Sequence, residues 1–157
     1  MSSLNELYQE VILDHAKRPR NFGELADAVH VHGDNPSCGD EIFLHVKFDD
    51  DRVADIKFTG HGCAISQASA SLMTLKLKGK SRAEAEAMRR DFEELVTSQT
   101  PLSEPPKTLG DLRLLAGVLE FPQRVKCAML AWRAFEQALT PQSSGSAAAE
   151  VSTETPS

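Results

Sequence analysis

The chain carries at residues 35–48 the stretch NPSCGDEIFLHVKF, in which a turn leads directly into a strand pattern. In the turn, Cys38 and Asp40 stand on either side of Gly39, whose backbone can adopt angles that are closed to other residues. A thiolate and a carboxylate are both competent zinc ligands, so the turn could aim two ligands at one point. The same residues also fit an Asx-type turn around a buried thiol, and the turn alone does not decide between the two.

Alternating apolar and polar residues predict three short strands around this turn. The strands cover about residues 28–34, 41–48 and 53–59, and a run of aspartates at residues 49–51 marks the second turn. Short strands that are joined by tight turns pair in antiparallel fashion. The pattern therefore predicts an antiparallel three-stranded meander.

Five helices are predicted from apolar residues at helical spacing and from capping residues. The first covers about residues 4–16, and the second, which is rich in small residues, covers about 64–73. Ser81 and Glu84 form a predicted capping box at the start of the third helix, at 82–96. The last two helices, at about 109–119 and 122–139, follow a loop that contains three prolines.

Composition indicates one globular domain followed by a polar tail. A chain of 157 residues, of which 41% are hydrophobic and 25% charged, is large enough to bury a core. From Pro141 onward Ser, Ala, Thr, Pro and Glu dominate, and such a segment cannot bury enough apolar surface to offset its ordering entropy. We expect a domain over residues 1–140 and a disordered tail over residues 141–157.

Charge and hydropathy argue against several functional classes. The formal net charge of -6 disfavours a protein that binds nucleic acid by neutralising phosphates. No apolar run reaches the roughly 20 residues that span a bilayer, and the N-terminus lacks the layout of a signal peptide. We therefore expect a cytoplasmic protein with neither nucleic acid nor membrane as a partner. Three cysteines in a reducing compartment favour metal ligation or nucleophilic chemistry over disulfides.

Four residues offer ligands of the right types for one tetrahedral zinc ion: Cys38, Asp40, Cys63 and Cys127. Cys63 is predicted at the N-terminus of the second helix, where the helix dipole favours a thiolate and lowers the pKa. The spacing matches neither a zinc finger nor a zinc ribbon, so three buried structural thiols remain an alternative. His61 is a further possible ligand, although a polar loop residue is the simpler interpretation.

Three segments around these residues resemble the cysteine motifs of the NifU-like iron–sulfur scaffold family. The segments are NPSCGD at residues 35–40, GHGCAISQASAS at 60–71 and RVKCAMLAW at 124–132. The similarity covers about residues 4–139 and keeps the three motifs in order. It implies an α+β fold in which helices pack against an antiparallel three-stranded sheet.

Within this family the chain resembles the SufU branch more closely than the IscU branch. The IscU branch has a histidine directly before its third cysteine, where this chain has Lys126. The SufU branch carries an insertion between its second and third cysteines, and residues 81–107 look like it. The chaperone-docking Leu-Pro-Pro-Val-Lys segment of the IscU branch is also not intact, since residues 121–126 read FPQRVK.

The resemblance implies a zinc-dependent sulfur-transfer protein for iron–sulfur cluster assembly. It implies that zinc is bound by Cys38, Asp40, Cys63 and Cys127. Persulfide sulfur would come from a SufS-type cysteine desulfurase that uses pyridoxal phosphate, and Cys38 would be the acceptor. A histidine of the desulfurase would displace one cysteine from the zinc. Downstream iron–sulfur assembly proteins are the further implied partners.

Two other functions fit the same residues. An iron–sulfur scaffold would assemble a cluster on the same three cysteines and aspartate, and a structural zinc domain would serve only protein–protein contacts. Lys126 and the insertion favour sulfur transfer over the scaffold, while an accessible Cys-Gly-Asp turn favours either over the structural domain. Arg124 and Lys126 would stabilise a thiolate at Cys127, or they form only a solvated helix face.

Overall fold

The computed structural model describes residues 3–98, 106–140 and 149–152 of the chain. The strands are β1 (Val29–Asn35), β2 (Asp40–Asp49), β3 (Arg52–His61) and β4 (Ala149–Ser152). The α-helices are α1 (Ser3–Lys17), α2 (Ala64–Leu77), α3 (Arg82–Thr97) and α4 (Val125–Leu139). A 3-10 segment spans Lys107–Glu120, and a shorter one, Pro122–Arg124, leads into α4. Within these ranges, no helix combines the length and the apolar character that crossing a membrane requires.

The first three strands form the predicted antiparallel meander, in the spatial order β3-β2-β1. Asn35 pairs with Asp40 where the first hairpin turns. Side chains alternate between the two faces of a strand, so Asp40 lies on the same face as the buried Ile42 and Leu44. Helices α2 and α4 pack against the sheet, and α1 packs on α2. The predicted α+β fold class is confirmed.

A fourth strand lies within the segment that we expected to be disordered. β4 runs parallel to β1, with Val31 opposite Ala149 and Asp34 opposite Ser152. The structure departs from the expectation at these four residues, because the edge of β1 offers backbone N–H and C=O groups to any extended segment, whatever its side chains. Residues 141–148 and 153–157 lie outside the described residues, and a domain boundary near residue 140 stays a prediction.

The segment Lys107–Glu120 adopts 3-10 geometry and not the predicted α-helical geometry. Its fully buried apolar residues recur at a spacing of three: Leu109, Leu112, Leu115 and Val118. A 3-10 helix has three residues per turn, so this spacing places all of them on one face. Gly110, with φ of 56° and ψ of -129°, also interrupts the segment near its start. The predicted amphipathic helix at 109–119 is therefore wrong in geometry, although these four apolar residues are buried.

Small side chains on α2 allow α4 to approach it closely. Ser69 Oγ donates to the carbonyl oxygen of Ala128 at 2.7 Å and accepts from Trp132 Nε1 at 3.1 Å. Ser69 is fully buried, so these bonds satisfy polar groups that have no access to water. They join the two helices directly beside Cys127 and fix its position relative to the start of α2.

Residues Arg82–Thr97 of the predicted insertion form α3, which packs on α4. The N–H of Glu84 donates to Ser81 Oγ at 3.0 Å, and the N–H of Ser81 donates to the Glu84 carboxylate at 2.9 Å, so the predicted capping box is confirmed. Phe92 stacks on Trp132 with ring centroids 4.6 Å apart. The insertion thus stabilises the helix that carries the third cysteine.

Candidate metal centre

Three of the four candidate ligands, Cys38, Asp40 and Cys127, come together where the β1–β2 turn meets the start of α4, and Cys63 adjoins this group through Asp40 at the start of α2. Ligand atoms of Cys38, Asp40 and Cys127 all lie within 4.8 Å of one another. The Cys127 and Cys38 sulfurs are 3.3 Å apart, and Cys63 Sγ lies 3.7 Å from Asp40 Oδ2. Three elements that are distant in the sequence thus contribute to one cluster.

Two glycines allow these elements to approach one another. Gly39 has φ of 72°, a left-handed value that folds the turn between Cys38 and Asp40. Gly62 lies so close to Asp40 that a Cβ at this position would overlap the aspartate side chain and its Cα. The Cys63 N–H can therefore donate to Asp40 Oδ1 at 2.7 Å. This bond holds the carboxylate at the N-terminus of α2, where the helix dipole favours negative charge.

Asn35 belongs to the site, although its sequence pattern did not reveal it. The side chain is 0% exposed, and Nδ2 donates to Asp40 Oδ2 at 3.3 Å and to Cys127 Sγ at 3.4 Å. The residue also pairs with Asp40 across the hairpin. A polar residue directly opposite a candidate ligand was the available signal, since buried amides need hydrogen-bond partners. Asn35 therefore orients the oxygen and the sulfur that it contacts.

The thiols of Cys63 and Cys127 are coupled by a hydrogen bond that moves their pKa values apart. The bond from Cys127 lowers the pKa of Cys63 to about 6, and backbone N–H groups of Ser66 and Ile65 act in the same direction. The same contact with Cys63, followed by burial, raises the pKa of Cys127 far above its ordinary value. These directions make Cys63 the stronger acid of the pair and Cys127 the hydrogen-bond donor to it. Backbone N–H groups at the N-terminus of α2 lower the pKa of Cys63, as predicted, but they lower it less than the hydrogen bond from Cys127 does.

Arg124 brings a positive charge to the edge of the cluster. It is the last residue before α4, and its Nη1 lies 3.6 Å from Cys38 Sγ. Cys127, then Cys63 and Cys38, raise the pKa of the guanidinium. The sequence left open whether Arg124 stabilises a thiolate or belongs only to a solvated helix face. Its contact with a thiol favours the first interpretation, and the thiol that it contacts is that of Cys38.

His61 does not join the cluster. It is the last residue of β3, its side chain is exposed, and its Nε2 lies 2.9 Å from Glu41 Oε1. Glu41 follows Asp40 in β2 and so points to the opposite face of the sheet. His61 is thus a polar, exposed residue as we expected, but it ends β3 and does not lie in a loop.

The donor set fits a tetrahedral zinc ion, for which three thiolates and one carboxylate are suitable ligands. Zinc–sulfur bonds of about 2.3 Å place two sulfurs about 3.8 Å apart in a tetrahedral site. The separation of 3.3 Å between Cys38 and Cys127 needs only a small widening to reach this value. Cys127 is buried, but Cys38 and Cys63 are half-buried, so one side of the centre is open to a partner. Thiolates are also the ligands of iron–sulfur clusters, which the same residues could hold.

The chain matches the model of the NifU-like N terminal domain over residues 7–141. It is 49% identical over 139 residues to the iron–sulfur cluster assembly scaffold protein IscU of Streptococcus pyogenes serotype M1, which covers 88% of this chain and 86% of that protein. It is 44% identical over 144 residues to the zinc-dependent sulfurtransferase SufU of Bacillus subtilis strain 168, which covers 92% of this chain and 97% of that protein.

A solved structure has the same fold. The crystal structure of SufU from Fervidobacterium islandicum AW-1, assigned as an iron–sulfur cluster assembly scaffold protein for the SUF system, superposes with a TM-score of 0.78. It is 38% identical in sequence and covers 86% of this chain and 98% of that chain. Relatives named IscU and relatives named SufU thus both match most of the sequence. The chain belongs to the NifU-like N-terminal domain family.

Proposed function

We propose that this protein accepts persulfide sulfur from a cysteine desulfurase for iron–sulfur cluster assembly, with zinc held by Cys38, Asp40, Cys63 and Cys127. The observation that carries the proposal is one half-buried thiol on a turn, Cys38, beside three ligands that hydrogen bonds hold in place. The similarity to a zinc-dependent sulfurtransferase over 92% of the chain supports it.

The cysteines differ in how firmly the protein holds them. Cys63 caps α2, and Cys127 lies within α4 and accepts from buried Asn35. Cys38 lies in a turn next to a glycine and contacts Arg124 and Cys127 through its sulfur. Movement of Cys38 therefore disturbs the least structure, and this makes it the best candidate for the ligand that leaves the centre.

Bound zinc would keep the thiols deprotonated at neutral pH, which is the chemistry that sulfur transfer needs from it. Asp40 is the only oxygen donor among the four residues, and its carboxylate is a harder donor than a thiolate. It should therefore set how easily a ligand exchanges as well as how tightly zinc is bound. Asn35 and the Cys63 N–H fix the carboxylate through one oxygen each.

In the transfer step, the Cys38 thiolate attacks the outer sulfur of a persulfide on the desulfurase. A sulfur–sulfur bond forms to Cys38 Sγ while the sulfur–sulfur bond of the donor breaks, and the donor cysteine leaves as a thiolate. One sulfur atom moves without net oxidation or reduction, so the step needs no further oxidant or reductant. The Arg124 guanidinium, 3.6 Å from Cys38 Sγ, offsets negative charge on the attacking sulfur and on the persulfide that it becomes.

Assembly of an iron–sulfur cluster at the same residues is the second candidate function. The identity of 49% to a protein named as a cluster assembly scaffold favours it. Iron and sulfide would then be cargo and would occupy the position proposed for zinc. A purely structural zinc site fits less well, because structural sites are closed and Cys38 is partly accessible.

Metal analysis and an absorption spectrum of protein purified without oxygen separate the two candidates. One zinc ion per chain and no visible chromophore would support sulfur transfer. Iron and labile sulfide together with visible absorption would support the scaffold. Arg90→Ala, on the exposed surface of α3, is a suitable control for effects of purification, and it should match the unmutated protein in metal content.

A further inference from the structure

His30 and His45 form a close pair on the sheet face opposite the thiols. They are register partners on β1 and β2, and their Nδ1 atoms lie 2.6 Å apart. The ring planes are nearly perpendicular, at 87°, with centroids separated by 4.6 Å. Two imidazole nitrogens thus converge on one point, and at most one proton fits between them.

This pair is remote from the cysteines. Five residues along each strand separate His30 from Asn35 and His45 from Asp40, which corresponds to about 16 Å at about 3.3 Å per residue. The odd number of steps also places the pair on the other face of the sheet. A ligand at the histidines therefore need not compete with one at the thiols.

The surroundings of His45 keep its imidazole in the form that binds metals. The side chain is only 9% exposed, and its Nε2 is buried with no hydrogen-bond partner among the described residues. Burial, followed by the neighbouring His30 ring, lowers the pKa of His45, which favours its neutral form.

We propose that His30 and His45 form a second metal site for a divalent first-row transition ion. Two imidazoles, with the further coordination positions filled by water, suit Fe²⁺, Zn²⁺ and Ni²⁺. The ion would replace the single proton between the two Nδ1 atoms. Binding itself does not depend on the proposed sulfur transfer, whereas delivery of iron to a cluster would.

The test uses Co²⁺ as the probe, on full-length protein that has first been loaded with one equivalent of zinc and desalted. Co²⁺ held by thiolates shows strong sulfur-to-metal charge-transfer bands, whereas Co²⁺ held by nitrogen and oxygen shows only weak d–d bands. We expect one saturable Co²⁺ equivalent by calorimetry, without charge-transfer bands. Co²⁺ that enters an unfilled thiol site would be recognised by those bands, so a failure of zinc loading is distinguishable from a failure of the histidine site.

Variants assign the site to its residues. His30→Gln and His45→Gln should each weaken Co²⁺ binding by at least about tenfold, or about 1.4 kcal/mol. His61→Gln removes an exposed histidine from the same face and should bind as the unmutated protein does. His30 is exposed, so its replacement does not endanger the fold. Absence of saturable binding to zinc-loaded protein, or unchanged binding by folded His30→Gln, would overturn the proposal.

Discussion

Replacement of Asn35 by alanine tests whether a buried amide orders two of the proposed zinc ligands. Its Nδ2 donates to Asp40 Oδ2 at 3.3 Å and to Cys127 Sγ at 3.4 Å. A hydrogen bond to a charged group contributes about 1.5–3 kcal/mol, and both distances are longer than the usual range of about 2.7–3.2 Å. We therefore take the lower end of the energy range. A loss of about 1.4 kcal/mol of binding free energy raises the zinc dissociation constant about tenfold. This is the lower limit of the roughly 10–100-fold loss of metal affinity that follows when a residue that hydrogen-bonds to a metal ligand is replaced.

The assay is competition for zinc with a chromogenic chelator of known affinity at fixed pH. Asp34→Asn is the matched control, because it keeps the side-chain size and lies one position earlier, on the opposite face of β1. We expect about a tenfold weaker zinc affinity for Asn35→Ala and less than about a twofold change for Asp34→Asn. Melting curves of the metal-free proteins separate a loss of stability from a loss of affinity. Equal zinc affinity of the two variants would refute the proposed role of the amide.

Removal of zinc by a chelator should lower the melting temperature, because ligands from distant segments make binding free energy part of native stability. Free zinc at about 100 times its dissociation constant adds about 2.7 kcal/mol to the free energy of unfolding, which raises the melting temperature of a domain of this size by about 5–10 °C. An unchanged melting curve after proven zinc removal would contradict this prediction. Truncation after Pro141 should leave zinc content and sulfur acceptance unchanged, and it should reduce stability only by the contribution of β4. A large fall in zinc content or in sulfur acceptance would show that the tail is not dispensable. Arg124→Ala should slow sulfur transfer to Cys38 about tenfold relative to Arg90→Ala, since it removes a charge-assisted contact, and equal rates would show that the guanidinium has no role.

The sheet and the capping box could be predicted because their causes are local in sequence. Ile42, Leu44 and Val46 alternate with Phe43, His45 and Lys47, and this period of two indicates which face of β2 packs on the core. The Ser81–Glu84 box needs only residues three apart. The candidate ligands could be named from their residue types, since thiols and carboxylates are competent zinc ligands, but the turn alone does not decide between a metal site and an Asx-type turn.

The features that could not be predicted depend on contacts between distant segments. Asn35 donates to Cys127, which is 92 positions away in the chain, so only its place opposite Asp40 in the hairpin could be read locally and its contact with the thiol could not. β4 pairs with the edge of β1, which is more than 110 positions away in the chain. The His30–His45 contact requires the register of two strands, which alternation alone leaves undetermined.

The central proposal is that Cys38 receives the sulfur while Cys63 and Cys127 mainly hold the metal. The most direct measurement is peptide-resolved mass spectrometry after incubation with a cysteine desulfurase and cysteine. We expect one added sulfur on Cys38 in the unmutated protein and none in Cys38→Ser, which should keep much of its fold. Cys63→Ser and Cys127→Ser should lose zinc and stability first. Added sulfur on Cys63 or Cys127 of the unmutated protein would contradict the assignment.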